Sequence, residues 1–89
     1  AEFSVTPIVE GPVTPFIDTA IEEIESAGLN YEVGAMGTTV EGNLDQVLDA
    51  IKKAHEAVLN QGAERVVTEI RIDEKKGGIS ISEETEGFR

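Results

Sequence analysis

Eighteen Asp and Glu against seven Lys and Arg give this 89-residue chain a formal net charge of −11, which argues against nucleic acid and anionic membrane as partners, since both need basic side chains, and mildly favours a cationic ligand. A chain of this length closes one thin core, burying roughly 60–65% of its unfolded surface, and with three Phe, one Tyr and no Trp that core is aliphatic. The absence of cysteine excludes disulfides, thiolate chemistry and a cysteine zinc site, and no run reaches the roughly 20 apolar residues of a membrane span.

Phe3, Val5, Pro7 and Val9 alternate with Ser4, Thr6, Ile8 and Glu10, which predicts a strand with Pro7 near its end. Gly11-Pro12 breaks it. Thr14-Pro15 reads as N-cap and first helical residue, and Phe16, Ile17, Ala20, Ile21 and Ile24 follow at helical spacing until Gly28. Leu29, Tyr31, Val33 and Ala35 alternate in a second strand, and Thr38 to Glu41 is a short third strand of β-branched residues.

The strongest helix runs from Asn43 to Gln61. Asn43 and Gln46 resemble a capping box, Val47, Ile51, Ala54 and Val58 form the apolar stripe, and Asp49 and Lys53 are spaced to pair. Val66, Thr68, Ile70 and Ile72 alternate with Val67, Glu69, Arg71 and Asp73 in a fourth strand. Ile79 and Ile81 are read as a short fifth strand, and residues 83–89 as a flexible tail of a single domain covering residues 1–89.

The order β-α-β-β-α-β predicts an α+β, ferredoxin-like fold: a four-stranded antiparallel sheet with both helices on one face. Phe3, Val5, Leu29, Tyr31, Val33, Val66, Ile70 and Ile72 are assigned to the helix side. Ser4, Thr6, Ile8, Glu32, Met36, Val67, Glu69 and Arg71 are assigned to the open side, joined by either Thr38 or Thr39. An exposed face that mixes apolar and polar groups marks a contact with a second subunit. A homo-oligomer with Ile8, Met36 and Val67 in the contact is therefore expected.

The chain offers no nucleophile with a base, no metal-ligand cluster and no phosphate loop. Its single histidine, His55, makes no triad. Glu32, Glu41 and Glu69 converge only if their strands are neighbours. An acylphosphatase, which shares the fold class, needs an arginine in the loop after the first strand, and Glu10-Gly11-Pro12-Val13-Thr14 is acidic instead. No enzyme activity, metal or cofactor is expected.

Met36-Gly37-Thr38-Thr39-Val40-Glu41-Gly42 resembles the signature of the small thiamine-binding proteins related to the YkoF-like domain. Pro7-Ile8, Gly28-Leu29-Asn30-Tyr31, Ala54-His55-Glu56-Ala57 and Gly62-Ala63-Glu64-Arg65-Val66-Val67-Thr68 fit the same pattern in order over residues 2 to 73. Ala35, where proline is common, and Val9-Glu10-Gly11-Pro12 depart from it. The resemblance implies a non-catalytic subunit that assembles into homodimers or tetramers and binds thiamine or its hydroxymethyl-pyrimidine part, and the lack of a signal-like or membrane-spanning apolar stretch makes the cytoplasm the expected compartment. The alternative is a regulatory or structural module that uses the open sheet only to oligomerise. For a pyrimidine ligand the expected site is Thr6, Tyr31, Met36, Thr38, Thr39, Glu41 and Thr68, with Glu69 outermost. Hydroxyls supply donors and acceptors, Met36 and Tyr31 ring contacts, and Glu41 a charge-assisted bond.

Overall fold

The structure is a computed structural model that describes residues 1–34, 36–76, 78 and 81. Its elements are β1 (Glu2–Pro7), α1 (Thr14–Ser26), β2 (Asn30–Val33), β3 (Thr38–Glu41), α2 (Leu44–Asn60) and β4 (Val66–Arg71). The strands form one antiparallel sheet in the order β2-β3-β1-β4, the ferredoxin-like arrangement. Among the described residues no fifth strand is found. Ile79 lies outside the described residues, as does the tail 83–89, and Ile81 is not in a strand.

Helix α1 starts one residue earlier than its sequence suggests. Thr14 is not the cap, because the Val13 carbonyl already accepts from the amides of Phe16 and Ile17, and Val13 caps without a side-chain bond. Pro15 still falls in the first turn, where its missing N–H costs nothing. In α2 the Asn43 side chain accepts from the Gln46 amide at 2.9 Å, and Asp49 pairs with Lys53 on the solvent side at 3.0 Å. Gly28 and Gly62 follow the two helix ends at φ +74° and +123°, where a side chain would be strained.

Ile24 of α1, Ile51 and Val58 of α2 and Val40 of β3 are fully buried. Phe3, Val5, Ala20, Val47, Ala50, Ala54 and Ala63 complete the core. The buried alanines take up little space beside these branched side chains, consistent with a thin core. Leu29, Tyr31 and Val66 pack at its margin. Three residues assigned to the helix side remain open: Val33 is 56%, Ile70 45% and Ile72 50% exposed. The helix layer therefore leaves both outer strands partly bare.

Candidate functional site

Directly paired residues of an antiparallel sheet share a face, so the register decides which side chains meet. Phe3 pairs with Thr38, and Glu2 with Thr39. Since Phe3 is in the core, Thr38 points inward, where it is only 6% exposed, and Thr39 points to the open face. Glu32 pairs with Thr39 on its other side, and Arg71 pairs with Glu2. The open face thus carries a row across all four strands: Glu32, Thr39, Glu2, Arg71. Strand spacing of about 4.8 Å puts the two carboxylate positions roughly 10 Å apart across Thr39. The next rows hold Ser4 beside Glu69 and Thr6 beside Val67.

The Met36-Gly37 step flanks this row. A Cβ on Gly37 would lie 2.8 Å from the carbonyl oxygen of Phe3, a separation that real Cβ atoms essentially never show. Only glycine lets the β2–β3 connection approach β1 this closely. Met36, 86% exposed, then borders a groove of about 460 Å³ with Glu2, Ser4, Glu69 and Arg71. Each residue of the Met-Gly-Thr-Thr run has its own place: Met36 on the groove, Gly37 against β1, Thr38 in the core, Thr39 on the face.

Glu41 also points to the open face, opposite Asn30, at the end of β3. Asn30 Nδ2 donates to one carboxylate oxygen at 2.6 Å, and the Ile81 amide donates to the other at 2.9 Å. These bonds, the Asn30 one foremost, favour the charged form and hold the Glu41 carboxyl below its ordinary range against a smaller opposing effect of desolvation. Glu41 therefore ties Asn30 of β2 and the Ile81 amide to the end of β3.

The expected site residues divide between the two sides. Thr6, Thr39, Glu41 and Glu69 face the open side, with Met36 beside them. Tyr31 pairs with Val40, and Thr68 with Val5, so both face the helices. Thr68 Oγ1 lies 2.6 Å from His55 Nδ1, which gives the lone histidine a partner inside the fold. Glu2, Ser4 and Arg71 line the groove and were not among the expected ligands. Alternation assigns Ser4 and Arg71 to this face, but their closeness to Met36 follows only from the register. A larger depression of about 620 Å³ lies at the far end of β1, between Ile8, Val9, Glu10, Phe16, Gly62 and Glu64. It contains no residue of the Met-Gly-Thr-Thr run.

Among the described residues there is no group of three or more His, Asp or Glu placed to hold a metal ion, and no helix is long and apolar enough to cross a membrane.

A family model described as thiamine-binding protein matches residues 1–87. A UPF0045 protein from Clostridium perfringens is 44% identical over 73 residues, which cover 82% of this chain and 77% of that protein. The crystal structure of a hypothetical protein from Methanocaldococcus jannaschii superposes with a TM-score of 0.90 at 38% identity, covering 98% of this chain and 91% of the other. A Thermotoga maritima protein assigned to thiamine biosynthesis or salvage gives a TM-score of 0.86 at 40% identity, covering 99% and 95% of the two chains.

Proposed function

The chain belongs to the thiamine-binding protein family, and from that premise we propose that it binds thiamine, or its hydroxymethyl-pyrimidine part, on the open face of the sheet and performs no catalysis. The observation that carries this reading is the row Glu32, Thr39, Glu2 beside Met36. Thiamine joins a permanently cationic thiazolium to an aminopyrimidine. Two carboxylates flanking a hydroxyl suit the cation and the exocyclic amine, Thr6 and Ser4 offer further hydrogen-bond partners, and the Met36 thioether suits a ring face. The net charge of −11 adds a weak general attraction for a cation.

The same face would be only half a binding site in a lone subunit, because Met36, Ile8 and Val67 stand exposed around it. A second copy laid over it in a homodimer, or in a homotetramer, encloses the ligand between two sheets. The cytoplasm is the compartment that goes with this reading.

Calorimetric titration of the full chain with thiamine tests it. Heat of binding is expected in the wild type. Glu32→Gln should weaken affinity about tenfold, the effect of removing one charge-assisted hydrogen bond. Neither heat nor a thermal shift at millimolar thiamine would refute the ligand. Binding that Glu32→Gln leaves unchanged would move it away from the row.

A further inference from the structure

We infer that Arg71 fixes the direction in which thiamine lies on the open face, with the thiazolium at Glu32 and the aminopyrimidine in the groove beside Met36. The inference rests on the ligand proposed above and adds its orientation.

The row Glu32, Thr39, Glu2, Arg71 is not symmetric in charge. Residues 30–42, which hold β2 and β3, contain no Lys or Arg. The ribbon that carries Glu32 therefore has no cation of its own, and Glu41 adds a second carboxylate to it. At the other end Arg71 stands directly opposite Glu2. The Ile8 amide donates to the Arg65 carbonyl, and counting back from there by twos makes Glu2 and Arg71 a hydrogen-bonded pair, with Cα atoms about 5.5 Å apart. Glu69 lies two residues before Arg71 on the same side of β4.

Distance decides which carboxylate Arg71 offsets. Three strand spacings of about 4.8 Å put it roughly 14 Å from Glu32. That exceeds the Debye length of about 8 Å in physiological salt, and the separation from Glu2 does not. Arg71 thus compensates Glu2 and leaves Glu32 unopposed. Among the described residues its guanidinium is in no ion pair or side-chain hydrogen bond, so its donors are open to a ligand.

Thiamine is unequal in the matching sense. Its thiazolium is a permanent cation, drawn to the carboxylate that no cation offsets. Its aminopyrimidine is flat and uncharged at neutral pH, and it presents an amine donor beside a ring-nitrogen acceptor. The groove of about 460 Å³ offers what that edge needs. Glu2 and Glu69 accept from the amine, Arg71 donates to the ring nitrogen, Ser4 does either, and Met36 covers a ring face. Turned round, the molecule would set its thiazolium against the Arg71 guanidinium and leave that guanidinium without an acceptor.

Calorimetry with two probes, thiamine and hydroxymethyl-pyrimidine, tests the orientation through the ratio of their affinities. Glu32→Gln should lower the preference for thiamine over the pyrimidine about tenfold, because the charge it removes serves the thiazolium. In an Arg71→Gln background Glu2 can take the cation and the ligand can turn round, so the same Glu32→Gln step should cost thiamine less than about threefold. Arg71→Lys keeps the charge and should keep the tenfold step. A merely structural Arg71 would leave the step equal in all three backgrounds. A preference unmoved by Glu32→Gln, or a tenfold step that survives Arg71→Gln, would overturn the orientation while the heat of thiamine binding still stood for the ligand. Absence of heat with both probes would refute the ligand and take the orientation with it.

Discussion

Gly37→Ala isolates one contact at the centre of the family signature. Gly37 has no positive φ, so an added methyl group acts through space and not through backbone strain. Its Cβ would sit 2.8 Å from the Phe3 carbonyl oxygen, and ordinary contact begins near 3.4 Å. The β2–β3 connection must therefore retreat from β1 by about 0.6 Å, the difference between those two values. At the other end of that short ladder, beyond the Phe3–Thr38 and Glu2–Thr39 pairs, the Ala1 ammonium donates to the Val40 carbonyl at 2.9 Å and the Val40 amide donates to the Ala1 carbonyl at 2.7 Å. A retreat of that size carried along β3 takes both past the usual limit of about 3.2 Å. Losing two such bonds costs about 1–3 kcal/mol, offset by the roughly 0.4–1 kcal/mol that alanine gains from a stiffer unfolded chain. The net expectation is a loss of about 1–2 kcal/mol. With a urea m-value of about 1 kcal/mol/M this lowers the unfolding midpoint by about 1–2 M. Gly42→Ala is the control, because its Cβ would meet side chains and no backbone: Leu29 Cδ2 at 2.9 Å, which can turn aside, and Val47 Cγ2 at 3.3 Å, which need give only a few tenths of an ångström. Equal stability of the two variants within about 0.5 kcal/mol would refute the close-approach reasoning.

Two further outcomes follow from single hydrogen-bonded groups. Asn43→Ala removes the acceptor of the Gln46 amide and should cost about 1 kcal/mol, seen as a fall in Tm of about 4–8 °C for a domain of this size; an unchanged Tm would mean that the cap carries no stability. Glu41 has its carboxyl held below the ordinary range by Asn30 and the Ile81 amide, so its contribution is complete above the unfolded-state value near 4.5 and is lost as pH falls through the lower folded value. The stability gap between wild type and Glu41→Gln should therefore be full at neutral pH and close in urea titrations carried below that value, and a gap independent of pH would count against the bonds.

Period-two alternation is enough to place β1 and β4 and to separate their faces, because Phe3 and Val5 in β1 and Val66 and Ile70 in β4 recur on one side while the charged residues Glu2, Glu69 and Arg71 fall on the other. The same signal puts Tyr31 on the helix side and sets Thr68 in line with Val66 and Ile70, and the place of both among the expected ligands rests on ligand chemistry alone. β3 is harder: Thr38 and Thr39 have the same side chain, and a slip of one residue exchanges their faces. Val40, the one large apolar side chain of that strand, was the available guide, since burying it turns Thr38 inward and Thr39 outward. The row of Glu32, Thr39, Glu2 and Arg71 was not legible at all, because it joins four strands from distant parts of the chain and exists only through their register. The start of α1 was missed for a local reason: the Val13 carbonyl accepted the first helical bonds before Thr14 had any capping to do.

The ladders of β1 are lopsided. Toward β4 it pairs at every position from Glu2 to Pro7, but toward β3 only at Glu2 and Phe3, with Ala1 bonded to Val40 beyond them. Pro7 stands in the register where its ring nitrogen faces the β3 side, so the ladder cannot run on through it. The sheet is therefore two ribbons, β1–β4 and β2–β3, sewn by a short stretch at one end. Such a sheet opens first along its weakest stitching, at a free energy below that of global unfolding, and the ribbon released is the one that carries Met36 and Thr39. A molecule lying across Ser4 and Thr39 would act as an additional stitch, so occupancy of the face would be expressed as slower amide exchange along β3 with little change in β4.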